Sequence, residues 1–169
     1  MRKASAIMTT LPTLPVLLNP PLAGREAIAD TLHRIVLAFD TNDAPLLHSA
    51  LTPTATMDVN GRVSEGLDAI HKDCFDFVGR LNTTHFVTNM RIHIADDGQR
   101  ASMTASALSQ HYREGQGERG DEERLMAGNL YWVELVKEGH HGEGELWKIE
   151  RFVVKSTWAE GAWGVMKGE

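Results

Sequence analysis

The stretch HFVTNMRIHIADDGQRASMTASALSQHYR, residues 85–113, is typical of two long antiparallel strands joined by a tight turn. Residues 85–94 favour a strand, and Asp96-Asp97-Gly98 favours the turn that ends it. The second strand, residues 100–113, carries small side chains on one face up to His111. They would leave room for a ligand beside a proton-transfer group, or simply let a helix pack closely. The sequence does not say which face is internal.

Two more strands are predicted after this hairpin, at residues 126–137 and 146–157. Residues 138–144, a Gly-rich segment, join them. The charged, Gly-rich segment 114–123 separates them from the second strand. It is long enough to be a mobile lid or merely a solvated connection.

The N-terminal half has helical periodicity. Apolar residues recur at helical spacing over residues 25–39. Asp43 is predicted to cap a second helix through Leu51, which Thr52-Pro53 would end. Residues 55–63 predict two short strands around Asn60-Gly61. A third helix is predicted from Gly66, with its apolar stripe at Leu67, Ile70, Cys74, Phe77 and Leu81.

This order of elements predicts an α+β fold. We expect a curved antiparallel sheet, packed by three N-terminal helices into a cone with an internal pocket, a usual place for a small-molecule site. The domain would span residues 23–169. Residues 1–22 are predicted to be an N-terminal arm, because Asn19-Pro20-Pro21 interrupts the chain there.

Composition excludes several classes of protein. The chain has 17 basic and 23 acidic residues, a net charge of −6, and no long basic cluster, so no nucleic-acid partner is expected. No apolar run is long enough for a membrane helix. With one cysteine, and no histidine pair at metal-ligand spacing, we predict no metal site. The sequence has no Gly-rich phosphate-binding loop, and no cofactor is expected. The histidines at 140 and 141 lie in a Gly-rich hairpin, which predicts solvated surface.

The N-terminal arm shares some features of a secretory signal. Arg2 and Lys3 precede an apolar stretch, but Pro12 and Pro15 interrupt it and no cleavage site follows. These features favour a cytoplasmic protein whose arm packs on the domain or on a neighbouring subunit.

Six short segments occur in a distinctive order: FDTND at 39–43, LTPTA at 51–55, EGLDAI at 65–70, THFVTN at 84–89, WKIER at 147–151 and WAEGAW at 158–163. Together they resemble the SnoaL-like branch of the nuclear-transport-factor-2-like superfamily, over about residues 24–166. That branch includes cofactor-free dehydratases such as scytalone dehydratase, polyketide cyclases and isomerases of secondary metabolism. It also includes members without an assigned activity, so the resemblance specifies fold more than function. We expect a homodimer or homotrimer.

The resemblance implies a catalytic set of Asp40, His85 and His111. In scytalone-dehydratase-like enzymes the Asp orients one histidine, and the histidines move protons during the elimination of water. Those enzymes also use tyrosines near the helix end, whereas Phe39 precedes Asp40 here. This departure argues against scytalone itself as the substrate.

The same pair can be argued from chemistry alone. Removing a proton beside a carbonyl needs a base with a pKa near neutral, which histidine supplies, and a carboxylate can fix its tautomer. Asp40 and His85 are 45 residues apart, so their pairing must be a product of the fold. Otherwise Asp40 would be a local cap, His85 a backbone-bonded strand residue and His111 a surface residue.

Other polar residues are candidates for binding a substrate. Asn89, Ser109 and Asn129 could contact a carbonyl group, and the two tyrosines, Tyr112 and Tyr131, are further candidates. Asn89 lies about 13 Å along the strand from His85, so it is better placed to secure a neighbouring strand end.

These features predict a cofactor-free lyase or isomerase of the dehydratase or cyclase type, acting on a hydrophobic, oxygenated natural-product intermediate. One alternative is a non-catalytic module for small-molecule binding or assembly, and another is a partner subunit of an oxygenase. A buried contact between Asp40 and His85 in a closed pocket would favour the enzyme. A solvent-facing Asp40 and a pocket filled with Phe and Met side chains would favour the module.

Overall fold

The computed structural model describes residues 12–141 and 144–167, with the backbone alone at 140 and 141. Predictions that concern residues 1–11, 142–143, 168–169 and the side chains of 140 and 141 lie outside the described residues. The helices are α1 (Gly24–Thr41), α2 (Ala44–Ala50), α3 (Leu67–Ile70), a π-helical turn (His71–Phe75), α4 (Asp76–Val78) and a C-terminal 3-10 helix (Trp163–Met166). The strands are β1 (Leu51–Val59), β2 (Arg62–Glu65), β3 (Asn82–Ile94), β4 (Arg100–Tyr112), β5 (Arg124–His141) and β6 (Gly144–Gly161).

The sheet has six strands in the order β2-β1-β6-β5-β4-β3. The predicted α+β cone is confirmed, but the sheet is mixed rather than wholly antiparallel, because β1 pairs with β6 in parallel. The alternation of side chains predicts strands but not which strands pair, and nearly a hundred residues separate β1 from β6 along the chain. Register irregularities in β3, β5 and β6 bend the sheet around its inner face, since bulges increase local twist and curvature.

Helix α1 lies across the inner face of the sheet. Its apolar stripe is fully buried at Ile28, Leu32 and Ile35, as the periodicity predicted. The buried guanidinium of Arg34 donates to the backbone carbonyls of Trp147 at 2.9 Å and Ser49 at 2.6 Å. These bonds hold α1 against β6 and α2, and so fix where the last turn of α1 meets the sheet.

The second helix is capped as predicted but ends earlier. The Asp43 carboxylate accepts a hydrogen bond from the backbone N–H of Leu46 at 2.9 Å. Leu51 begins β1 instead of ending the helix, and Thr52-Pro53 lies inside the strand. The strand tolerates Pro53 because the register of β1 against β6 is interrupted between Leu51 and Thr56.

The predicted hairpin around Asn60-Gly61 is confirmed. Both residues have positive φ, 57° and 90°, as a two-residue turn between right-twisted strands requires. The backbone N–H of Asn60 donates to the carbonyl of Val154 at 2.9 Å, so β6 also holds this turn.

The prediction of one continuous third helix is wrong. The segment begins after Gly66 as expected, but α3 gives way to the π-helical turn and then to α4. The wider π turn rotates the apolar stripe, so Phe75 is buried while Cys74 is half-buried beside a cavity. Burial raises the pKa of the Cys74 thiol.

The core lies between the helices and the inner face of the sheet. The described part of the arm contributes Val16 and Leu22, and the carbonyl of Leu22 accepts from the N–H of Glu145 at 3.0 Å. Val16 and Leu22 therefore pack on the domain of the same chain, whereas Leu14 and Leu17 are exposed. Within the described residues, no helix is long and apolar enough to cross a membrane.

Candidate active site

Asp40 and His85 form a close pair at the base of the cone. Asp40 lies in the last turn of α1, and His85 lies near the start of β3. One carboxylate oxygen accepts from the His85 ring Nδ1 at 2.6 Å, and the other accepts from the His85 backbone N–H at 2.9 Å. Both side chains are largely buried, with exposures of 13% and 12%. The predicted pairing is confirmed, and Asp40 is more than a local cap.

This geometry sets the tautomer of His85. An ionised carboxylate only accepts hydrogen bonds, so Nδ1 must carry the hydrogen that it donates to Asp40. The other ring nitrogen, Nε2, then carries a lone pair when the ring is neutral. Since His85 lines the cavity, the arrangement presents a base to anything bound there, with Asp40 stabilising the imidazolium that would form.

His111 is buried rather than exposed on the surface, which corrects the alternative reading of that residue. It lies on β4 with its ring centroid 5.5 Å from that of His85, and its Nδ1 is 2.7 Å from the Thr83 hydroxyl. Burial lowers the pKa of His111 to about 4, with a smaller contribution from His85, while Asp40 opposes the shift. His111 is therefore neutral near pH 7 and can act as a hydrogen-bond donor or acceptor.

A cavity of about 260 Å³ lies above the two histidines. Its lining is mainly apolar and includes Val36, Phe39 and Phe152, while Trp163 and Met166 of the 3-10 helix lie at one side. The face of β4 that points inward is the one with small residues: Ala105, Ala107, Ser109 and His111 are all buried. The small side chains thus leave space beside the histidines.

Three predicted binding residues line this cavity: Ser109, Asn129 and Tyr131. Tyr131 packs edge-on against Phe152, with ring centroids 4.9 Å apart. Burial, and secondarily the charge of Asp40, raises the pKa of the Tyr131 hydroxyl, which stays protonated. Asn129 contacts the Ser109 hydroxyl through its side-chain amide at 3.3 Å.

The structure does not place Asn89 and Tyr112 in the cavity. Asn89 is exposed with a φ of 55°, where β3 is irregular, and its amide donates to Ser106 at 3.4 Å. The Tyr112 hydroxyl accepts from Gln110 at 2.8 Å and borders a separate hollow. Neither residue therefore lines the cavity beside His85, and their role in substrate binding stays a prediction.

The 114–123 loop does not cover the cavity either. Gly115, Gly117 and Glu118 border the separate hollow, and the Gly117 N–H donates to the Asn82 side chain at 3.0 Å. Among the described residues, Trp163 and Met166 are better placed to limit water access to the site.

Several polar residues near the site are not predicted from the sequence. Thr83 contacts His111, and Asn60 and Ser156 line the cavity and bond to each other. Thr83 shares the face of β3 with His85 by simple alternation, which was the available signal. No local signal links a turn residue such as Asn60 to a strand nearly a hundred residues away.

In the part of the chain that the structure describes, no group of three or more His, Cys, Asp or Glu residues could hold a metal ion. His48 and His71, which sequence spacing left unpaired, do meet, with ring nitrogens 2.9 Å apart. A ring nitrogen of His71 is also 3.3 Å from the Asp76 carboxylate. This pair does not line the cavity.

The mixed curved sheet, the helices and the cavity between them define an α+β cone of the nuclear-transport-factor-2-like class. Solved structures agree on the fold. A protein from Novosphingobium aromaticivorans, provisionally assigned as a scytalone dehydratase, is 18% identical, with a TM-score of 0.65 over 82% of this chain and 87% of that one. A nuclear-transport-factor-2-like protein from Salmonella enterica is 14% identical, with a TM-score of 0.64 over 78% and 89% of the two chains.

The chain belongs to the family of SnoaL-like domains, whose model matches residues 20–153. It is also similar to terrestric acid biosynthesis cluster protein E of Penicillium crustosum. The two are 49% identical over 154 residues, which cover 91% of this chain and 96% of that protein.

Proposed function

We propose that the protein is a cofactor-free lyase or isomerase of secondary metabolism, acting on a hydrophobic, oxygenated intermediate. The observation that carries this proposal is the largely buried contact between Asp40 and His85 beside an unfilled, mainly apolar cavity. The similarity to a protein of a terrestric acid biosynthesis cluster supports the metabolic setting.

In the proposed reaction, His85 removes a proton from a carbon next to a carbonyl group of the substrate. The electron pair of that C–H bond moves toward the carbonyl oxygen, where His111, as a neutral ring, can donate a hydrogen bond. The imidazolium of His85 then returns the proton. Delivery to a departing hydroxyl group eliminates water, and delivery to another carbon gives an isomer.

Asp40 is assigned the role of orienting His85. Its two oxygens hold the ring nitrogen and the backbone N–H of the same residue, so the ring can neither flip nor drift from the cavity. A fixed geometry reduces the entropic cost of reaching the transition state.

The lining determines which substrates fit. Phe39, Phe77 and Phe152 supply apolar walls, whereas the charged lining residues Arg62 and Asp73 are both exposed. An uncharged ring system with a carbonyl group near the histidines matches this distribution.

A non-catalytic module would be favoured by an exposed Asp40 and a filled cavity, and the structure has neither feature.

A homodimer or homotrimer remains part of the proposal. Phe86, Leu130 and Trp132 are 59%, 52% and 42% exposed on the face of the sheet opposite the cavity, where a second copy could pack. Sedimentation equilibrium measures the assembly directly, and a monomer at all concentrations would contradict it.

The proposed chemistry can be tested without knowing the natural substrate. A panel of cyclic ketones is incubated with the protein in D₂O, and deuterium uptake next to the carbonyl is followed by NMR. We expect uptake with at least one ketone, reduced about 10²- to 10⁴-fold in the His85→Asn variant because the base is lost. His93→Asn, a change of the same kind at an exposed residue of the same strand, is the control. Equal uptake in wild type and His85→Asn, or none across the panel, would instead favour a binding module.

A further inference from the structure

A chain of hydrogen-bonded side chains runs along the cavity from the β1–β2 turn to β4. It passes through Asn60, Ser156, Asn129 and Ser109, all of which line the cavity. Asn60 to Ser156 is 3.0 Å, Ser156 to Asn129 is 2.8 Å, and Asn129 to Ser109 is 3.3 Å. Three strands and the β1–β2 turn thus contribute to one chain of polar side chains in a mainly apolar space.

The direction of this chain is fixed at the Asn60 end. The backbone N–H of Ser156 donates to the side-chain oxygen of Asn60 at 2.8 Å, so the atom facing it must be Oδ1. The Asn60 amide nitrogen therefore faces the Ser156 hydroxyl and donates to it. Because a serine hydroxyl has one hydrogen, Ser156 is left to donate that hydrogen to Asn129 Oδ1.

The direction is fixed again at Asn129. Its amide nitrogen is 3.3 Å from the backbone carbonyl of Ala127, which only accepts hydrogen bonds. This contact and the hydroxyl of Ser156 assign the same orientation to the Asn129 amide. Its nitrogen must then also donate to the Ser109 hydroxyl oxygen, which acts as an acceptor.

Ser109 therefore ends the chain with its own hydrogen uncommitted. Within residues 12–141 and 144–167, no hydrogen bond donated by the Ser109 hydroxyl is found. Ser109 is paired in register with His85 on β3 and lies two residues from His111 on the same face of β4. Its hydrogen is thus available beside the two histidines.

We propose that Ser109 donates a hydrogen bond to the carbonyl or enolate oxygen of the substrate, and that Asn60 and Ser156 are positioning residues that keep it a donor. This inference rests on the proposed function and narrows the substrate to a compound whose reacting carbon adjoins a carbonyl group. Donors already oriented toward developing negative charge lower the barrier to enolate formation.

The test uses α-tetralone, a two-ring ketone, isotope-labelled at its carbonyl carbon, and tetralin, the same skeleton without oxygen. The infrared carbonyl stretch of bound α-tetralone reports hydrogen bonds to its oxygen, and titration gives the affinity of both probes. In wild type we expect the carbonyl stretch of the bound ketone to lie at a lower frequency than that of the free ketone. We also expect the ketone to bind more tightly than tetralin. Ser109→Ala should reverse part of the shift and weaken ketone binding up to about tenfold, while tetralin binds as before.

Asn60→Asp tests the positioning role. Aspartate also adopts positive φ, so the turn is kept, but the donor to Ser156 becomes an acceptor. The Ser156 hydroxyl is then drawn away from Asn129, and we expect the carbonyl frequency to move toward that of Ser109→Ala. Asn89→Asp makes the same change at an exposed residue with positive φ and should leave the frequency unaltered.

The inference is overturned if Ser109→Ala leaves the frequency and affinity unchanged, if Asn60→Asp has no more effect than Asn89→Asp, or if α-tetralone binds no better than tetralin. These outcomes are separate from the test of the proposed function, because neither readout requires turnover. In His85→Asn, deuterium uptake should fall about 10²- to 10⁴-fold while the frequency shift remains.

Discussion

The burial of His111 predicts a specific loss of stability in acid. Its pKa is lowered to about 4 in the folded protein, from an ordinary value of 6.5. Between these two values the unfolded chain binds a proton at this position while the folded chain does not, so the free energy of unfolding falls as the pH falls. The contribution is fully present above pH 6.5 and is lost toward pH 4.

The size of the effect follows from the two pKa values. Since one pKa unit corresponds to about 1.4 kcal/mol, the difference corresponds to about 3 kcal/mol of unfolding free energy between pH 7 and the acid limit. Two neighbouring residues also affect the pKa of His111: His85 lowers it, and Asp40 raises it. An effect of this size is a large fraction of the stability of a typical domain.

Urea unfolding at a series of pH values measures this contribution. The slope of unfolding free energy against pH should be smaller in His111→Asn than in wild type, because the asparagine has no proton to bind. His93→Asn, at an exposed histidine, should keep the wild-type slope. A slope in His111→Asn equal to that of wild type would refute the assignment of the acid sensitivity to this buried ring.

Three further changes have defined expected outcomes. Asp40→Asn should lower the rate of deuterium uptake about 10²- to 10⁴-fold with little change in probe affinity, because the tautomer of His85 is no longer fixed. Equal rates in wild type and Asp40→Asn would contradict this role. Thr83→Val keeps the shape of the side chain but leaves His111 Nδ1 without its partner, so the free energy of unfolding in urea should fall by about 1–3 kcal/mol. Thr84→Val, at an exposed residue, is its control. Asp43→Ala should cost about 1 kcal/mol through loss of the α2 cap, without changing deuterium uptake.

Much of the architecture could be predicted from local sequence. The periodicity of α1, the cap at Asp43 and the Asn60-Gly61 turn are short-range features, and the structure confirms all three. Pairing between distant strands has no such signature. The parallel contact of β1 with β6 was missed, because alternation of side chains identifies a strand but not its neighbour.

The site was predicted in part through resemblance and in part through residue chemistry. Asp40 and His85 were paired correctly, and the fold brings them together over 45 residues. Asn89 and Tyr112 do not line the cavity, because the alternation of side chains is interrupted in β3 and does not by itself show which face of a strand is internal. Asn60 was seen only as a turn residue, since its side chain acts on β6 through tertiary contact.

In the proposed mechanism, Asp40 binds Nδ1 of His85 and leaves Nε2 as a free base at the cavity. Nitrogen-15 NMR of the histidine rings, assigned with His85→Asn and recorded at about pH 8, observes this directly. We expect that Nδ1 of His85 is protonated and Nε2 is not, and that addition of α-tetralone shifts the Nε2 resonance. A protonated Nε2 with a bare Nδ1, or an Nε2 resonance indifferent to the ketone, would contradict it.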